Sequence, residues 1–294
     1  MDGIFNINKP TGMTSHDVVA IIRKHLKQKR VGHTGTLDPL ASGVLPICVG
    51  QATRVAEYLS ESGKAYQADI NFGTATDTYD AEGTITATAS TADLTLNMIQ
   101  ETLEQFRGPQ MQNPPLYSAI KIQGQPAYKR ARAGEVIVLE PRPIVIHSLE
   151  MLEWNPPRLT LAVECSKGTY IRSLAHDLGM QLGCCAYLEA LVRTRSGPFT
   201  LSDSITIEQF ADAVETNSIQ HYLFPLDNAL EQYPAMKLDV ETAKRIKHGN
   251  TFKKPVANNS GLARVYDTNG AFIALAEWNE EQQAWQPKKV FASD

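Results

Sequence analysis

The chain has 294 residues, 43% of them hydrophobic and 20% charged, with a net charge of −4 and a pI of about 6.0. That length and balance describe a globular protein of one large domain, or one plus a small appendage. Cys48, Cys165, Cys184 and Cys185 include no Cys-x-x-Cys spacing, no secretory signal opens the chain, and no apolar run nears the roughly 18 residues of a bilayer span, so a zinc ribbon, a secreted protein and a membrane protein are disfavoured and a reducing, cytoplasmic location is expected.

Residues 4–7 read as a short apolar strand ending at Asn8-Lys9-Pro10. Thr14 or Ser15 can cap a helix whose apolar side carries Val18, Val19, Ile21, Ile22 and Leu26. Around that helix Arg23, Lys24, Lys27, Lys29 and Arg30 form a basic run free of acids. Such a run suits phosphate contacts even on an acidic chain, although taken alone it reads better as a solvated face.

Residues 32–46 are the most informative stretch. Gly32, Gly35, Gly43, Pro39 and Pro46 make it a shaped loop around one carboxylate, Asp38, flanked by Leu37, Pro39 and Leu40. A partly desolvated carboxylate in such a place suits a nucleophile or base. No Gly-Lys-Ser/Thr closes the loop as a phosphate-binding P-loop, and the His33…Asp38 pair lacks a third metal ligand.

A strand follows through 44–49, and another over 64–72, where Tyr66, Ala68, Ile70 and Phe72 share a face. The segment 77–82 lacks a calcium-loop register and reads as a solvated turn. Leu96, Ile99, Leu103 and Phe106 are spaced for one face of a helix over 95–106. Residues 109–143 are broken by Pro109, Pro114, Pro115, Gly124, Pro126, Gly134, Pro141 and Pro143. They interleave Tyr117 and Tyr128 with Lys121, Lys129, Arg130 and Arg132, a mixture suited to stacking and phosphate contact. Leu159, Leu161, Val163 and Cys165 alternate as a strand, and Ile171, Leu174, Ala175 and Leu178 follow at helical spacing. Near 225–235 the pattern shifts, and the strand-like segments 262–266 and 271–276 suggest a small β-rich tail. Strands and helices interrupted by long loops favour an α+β architecture over a doubly wound parallel sheet.

The Asp38 run resembles, at nearly every position, the signature of the TruB family of bacterial pseudouridine synthases. Four further stretches resemble that family's motifs in the same order: Asn8–Ser15, Gly63–Tyr66, Gly168–Ala175 and Leu188–Arg195. The resemblance implies a pseudouridine synthase fold: a central mixed, largely antiparallel sheet flanked by helices and loops, with a small PUA-like RNA-binding domain at the end. It implies a catalytic domain over 1–230 with a thumb-like insertion at about 109–143, and the PUA-like domain over 231–294.

The implied reaction converts uridine to pseudouridine at position 55 in the tRNA T-loop, without metal or cofactor. Asp38 is then the nucleophile or base, with attack on ribose, attack on the base and abstraction of a sugar proton all open. Tyr66 stacks on the flipped base and has a hydroxyl for proton transfer. Arg172 pairs with Asp38. Substrate contacts fall to His33, Tyr170, Leu191, Lys121, Lys129, Arg130 and Arg132, and to Lys9, which either touches phosphate or supports the loop. The partner is the T-loop and T-stem of tRNA, bound by a monomer with no obligate protein partner. From the residues alone Tyr66 and Leu191 read as core and Arg172 as a helix-surface arginine. A non-catalytic RNA-binding protein and a glycoside-cleaving enzyme are the rival readings.

Overall fold

β1 (Gly3–Lys9) is buried along nearly its whole length because apolar side chains leave both of its faces. Thr14 caps α1 (Ser15–Leu26) in a reciprocal box: its hydroxyl accepts the Asp17 N–H at 3.1 Å, and the Asp17 carboxylate accepts the Thr14 N–H at 2.9 Å. Ser15 is therefore the first helical residue, and Val18, Val19 and Ile22 form the buried stripe. The structure is a computed structural model describing residues 1–118, 120–122, 124–133, 135, 137–253 and 261–291; at 121, 122, 126, 128, 129 and 132 it gives the backbone alone.

β2 (Val31–His33) and β3 (Ser42–Val49) flank the Asp38 loop. α2 (Ala56–Ser60) leads into β4 (Lys64–Phe72). A hairpin of β5 (Thr74–Thr76) and β6 (Ile85–Thr88) precedes α3 (Leu96–Gln105) and β7 (Gly108–Gln112). Within α3, Ile99 and Leu103 are buried, but Leu96 is 46% exposed: Thr95 caps the helix, and its first turn projects past the core. The insertion holds β8 (Lys121–Ile122), β9 (Gln125–Pro126) and α4 (Ala127–Arg132). Both ends of the 109–143 segment are sheet, since β7 pairs with β10 (Arg142–Asn155).

β11 (Arg158–Cys165), β12 (Ala186–Ser196), β13 (Phe199–Thr200) and β14 (Leu223–Phe224) complete the first sheet, with α5 (Ile171–Gln181) and α6 (Ile207–Glu215) between them in the chain. Its order is β14-β1-β3-β12-β4-β11-β10-β7, with β13 beside β12 and β2 beside β3. β12 and β3 run parallel through Val192↔Ser42 and Arg193↔Gly43; the other strand pairs described in this sheet are antiparallel. The fold is thus α+β with a mixed, largely antiparallel sheet. β15 (Ala235–Lys237), β16 (Leu262–Tyr266), β17 (Phe272–Asn279) and β18 (Ala284–Val290) form a second sheet, which with α7 (Val240–Lys247) surrounds the fully buried Trp285.

β3 serves two cores. Leu45, Ile47 and Val49 pack with α1, α5 and α6 on one face, while Val44 and Cys48 pack with Ile4, Tyr58, Leu275 and Phe291 on the other. A strand covered on both faces needs a continuous apolar run rather than alternation. Leu275 and Phe291 come from the small sheet, so the second core joins the two units. Arg54 donates to the Val290 carbonyl at 2.6 Å and lies over the Phe291 ring, and Lys289 pairs with Glu57. Among the described residues no helix is long and apolar enough to cross a membrane.

Phe5 and Phe210 meet edge to face at 5.1 Å and dock α6 on β1. Phe210→Ala is expected to cost about 3–5 kcal/mol of stability, as truncation of a buried aromatic does. A fall in the calorimetric melting temperature, with the far-UV circular dichroism spectrum unchanged at 25 °C, checks this.

Candidate active site

Four elements place their ends around one cavity of about 430 Å³. The 34–38 loop supplies Thr34 and Asp38, β4 supplies Lys64 and Tyr66, the start of α5 supplies Tyr170 and Arg172, and β12 supplies Leu191 and Arg193. The cavity thus gathers Asp38, Tyr66, Tyr170, Arg172 and Leu191, five of the residues singled out in the sequence.

The Asp38 loop is held from beneath. Ser15, almost fully buried at the start of α1, donates to the Leu37 carbonyl at 3.1 Å and accepts the Leu37 N–H at 2.8 Å. The Gly12 N–H donates to the Pro39 carbonyl at 2.8 Å. Lys9 has no exposed surface; its ammonium donates to the carbonyls of Pro10 at 2.8 Å, Met13 at 2.7 Å and Pro39 at 3.5 Å. The ammonium is thus turned to backbone carbonyls at the foot of the Asp38 loop. Burial outweighs the attraction of Asp38 and lowers the Lys9 pKa to about 8. Lys64 is enclosed similarly, donating to the Ser60 carbonyl at 2.7 Å, and burial lowers it also to about 8.

Arg172 is the buried partner and Asp38 the open one, with side chains 6% and 42% exposed. The Arg172 Nε lies 2.9 Å from Asp38 Oδ2, an ion pair whose N–H is not aligned for a hydrogen bond. The far side of the guanidinium faces Asp80 Oδ2 at 3.3 Å. Its two terminal nitrogens donate to the Thr78 carbonyl at 3.2 Å and the Tyr117 carbonyl at 3.1 Å. One side chain therefore ties the Asp38 loop, the 78–80 turn and the base of the insertion together. A planar fork with five donors makes that possible.

Asp80 corrects the expectation of a solvated turn over 77–82. Asp77 and Glu82 are exposed, but Asp80 is 4% exposed and faces Arg172. The turn is pinned by a stack of Tyr79 on His176 of α5, with ring centroids 3.9 Å apart. Nothing in a run of Asp, Thr and Tyr announces a buried carboxylate; only the cation it meets does.

Tyr66 is half-buried, and burial raises its phenol above the usual range despite the Arg193 guanidinium beside it. Tyr170 caps α5; Gln112 clasps its backbone, accepting its N–H at 2.8 Å and donating to its carbonyl at 2.9 Å. His33 lies outside the cavity lining, next to Thr34. Its Nδ1 accepts the Gly35 N–H at 3.3 Å, and its ring meets that of His16 edge-on at 5.2 Å. Burial, then the charges of His16 and Arg193, lowers its pKa to about 4, so the ring is neutral at pH 7. Arg130 pairs with Glu135 at 2.6 Å, away from the cavity lining. The side chains of Lys121, Lys129 and Arg132 lie outside the described residues. Among the described residues no three His, Cys, Asp or Glu side chains are grouped to hold a metal ion.

The His33 placement gives a pH dependence. With a folded pKa of about 4 against 6.5 unfolded, the unfolded chain binds the proton first as pH falls. The stability tied to a neutral His33 is complete above pH 6.5 and is lost as pH falls toward 4. His33→Gln is expected to flatten that limb, so its melting temperature relative to wild type rises between pH 7 and pH 4.5. Parallel melting curves at the two pH values check this.

Residues 23–171 match the N-terminal domain of the TruB family pseudouridylate synthases. Residues 172–231 match the tRNA pseudouridylate synthase B C-terminal domain, and 234–290 the C-terminal region of pseudouridine synthase II TruB. A tRNA pseudouridine synthase B of Dehalococcoides mccartyi (strain BAV1) is 43% identical over 291 residues, 99% of this chain and 97% of its own. One from Stutzerimonas stutzeri (strain A1501) is 42% identical over 297 residues, 100% of this chain and 97% of its own. A chain in a Cbf5-Nop10-Gar1 complex shares the fold with a TM-score of 0.78 at 28% identity, covering 99% of this chain and 85% of that one. A chain from an H/ACA RNP bound to a substrate RNA containing 2′-deoxyuridine gives 0.77 at 26% over the same shares. Sequence matches spanning both sheets, together with a fold shared from end to end, lead to one conclusion: the chain belongs to the TruB family of pseudouridine synthases.

Proposed function

We propose that the protein isomerises uridine to pseudouridine at position 55 in the T-loop of tRNA. The observation that carries this reading is an accessible carboxylate, Asp38, ion-paired to a buried arginine at a cavity walled by Tyr66, Tyr170 and Leu191. The curated relatives that match over nearly their whole length carry tRNA in their names, which favours tRNA as the RNA. The base leaves the stack at a cost of a few kcal/mol. Stacking on the Tyr66 ring offsets about 1–3 kcal/mol of that. Asp38 then serves as nucleophile or base while the glycosidic bond moves from N1 to C5, an isomerisation that needs no redox partner or group donor. Arg172 pairs with the carboxylate and aims it. Lys121, Lys129, Arg130 and Arg132 of the insertion contact the T-stem backbone, His33 contacts RNA beside the flipped nucleotide, and the small sheet adds a second RNA surface. The enzyme works as a cytoplasmic monomer without cofactor.

The test is carbodiimide-dependent reverse-transcription mapping of an unmodified tRNA transcript after incubation with the protein. A single stop at the T-loop uridine is expected. Stops at other uridines only would overturn the assigned position, and no stop despite tRNA binding would favour a non-catalytic RNA-binding protein.

A further inference from the structure

Arg193 is among the largest fully buried side chains of the molecule, 1% exposed, and among the described residues no carboxylate lies within ion-pair distance of it. A buried cation without a counter-ion is costly unless hydrogen bonds compensate it. Those bonds go to informative places. Nε donates to the Val44 carbonyl at 2.7 Å, and one terminal nitrogen donates to the Gly35 carbonyl at 3.1 Å. Gly35 and Val44 stand on either side of Asp38, so one guanidinium joins the two ends of the loop that carries it.

The strand register adds a second link. Arg193 is the cross-strand partner of Gly43 on one side and of Tyr66 on the other. Gly43 in turn pairs with Lys9. Lys9, Gly43, Arg193 and Tyr66 therefore form one row across four strands, directly under the cavity. The backbones are close here: a Cβ on Gly43 would sit 2.3 Å from the Arg193 carbonyl oxygen, and Gly43 has φ +99°, a conformation that favours glycine. Arg193 also has its guanidinium beside the Tyr66 hydroxyl and lines the cavity itself.

We propose that Arg193 is a positioning residue for the isomerisation: it sets the spacing between the Asp38 loop and the Tyr66 ring, so that carboxylate and ring close on the same nucleoside. This goes beyond the Asp38–Arg172 pair, because Arg172 holds the carboxylate while Arg193 holds the frame that carries both carboxylate and ring. Lysine cannot replace it, since a point-like ammonium cannot reach the Gly35 and Val44 carbonyls with the same fixed fork. The inference rests on the site's being a pseudouridine synthase centre.

The experiment compares wild type, Arg193→Met, Arg193→Lys and Phe210→Leu, the last as a variant destabilised away from the cavity. Single-turnover pseudouridine formation at saturating tRNA transcript and tRNA Kd are measured for each. Arg193→Met and Arg193→Lys are expected to lose about 100-fold or more in the single-turnover rate, the scale of a displaced reacting group. Their tRNA Kd is expected to match wild type, and Phe210→Leu to keep the wild-type rate. In Arg193→Ala, added guanidinium is expected to restore part of the rate, and equimolar ammonium none. A wild-type rate in either folded arginine variant, a loss confined to Kd, or a loss matched by Phe210→Leu would overturn the proposal. If Arg193→Met fails to fold, Arg193→Lys decides by the same readings. An inactive wild type would instead overturn the underlying reading of the site.

Discussion

Asp38→Asn is expected to abolish pseudouridine formation while leaving tRNA binding and folding intact. The substitution keeps the side chain's shape but removes the charge, and with it the capacity to act as nucleophile or base. Loss of one group in a cooperating catalytic set lowers the rate by about 10⁴-fold or more. Stability is expected to change little, for two reasons. The Asp38 side chain is 42% exposed, so its ion pair is partly screened by solvent. Arg172 also keeps Asp80 and the carbonyls of Thr78 and Tyr117 when the Asp38 charge is gone. Single-turnover assays and filter binding on the same transcript separate the two effects. Residual activity within tenfold of wild type, as an order-of-magnitude criterion, would assign the chemistry to another group.

Arg172→Met is expected to fail on both counts. Removing the guanidinium strands Asp80, a carboxylate 5% exposed by its side chain, without its cation, and orphans two backbone carbonyls. Breaking a buried pair by deleting one partner costs about 3–5 kcal/mol. Activity falls too, by about 100-fold or more, because Asp38 loses the group that aims it. Arg172→Lys recovers charge but not the four-way geometry and is expected to remain impaired. Calorimetry and single-turnover rates on the three proteins check this. A variant that melts like wild type would show that Asp80 finds another partner.

The contrast between these two positions shows what sequence could convey. Asp38 was legible because glycines and prolines isolate it on a loop, and the residues around it resemble a known motif. The strand that carries Tyr66 was legible because β4 alternates cleanly through Ala68, Ile70 and Phe72, but that alternation alone makes Tyr66 a core aromatic, and only the resemblance of Gly63–Tyr66 to a known motif pointed to the site. Asp80 and Arg193 were not. Asp80 lies in a polar run whose burial is decided by a helix about ninety residues later. Arg193 sits two residues beyond Leu191 on the same face of β12, a spacing that could have flagged it. The signal is blurred because β12 shifts register between Leu188 and Ala190 and again between Arg193 and Arg195. Each bulge flips the inward phase, so no single alternation runs through the strand. β10 hides for the same reason, with shifts at Ile146/Ser148 and Met151/Glu153. β18 was missed because Pro287 interrupts it, which a strand at the edge of its sheet tolerates.

The second core, where Val44, Cys48 and Tyr58 meet Leu275 and Phe291, bears on how the protein can be cut. The small C-terminal sheet is a lid on the back of the sheet that carries the Asp38 loop. Ending the chain at residue 231 would bare an apolar patch that the small sheet now keeps from water, and bared patches of that kind drive association. Such a truncation is expected to be recovered in aggregates rather than as a minimal enzyme, so a dissection of RNA contacts is better made by surface substitutions on an intact chain.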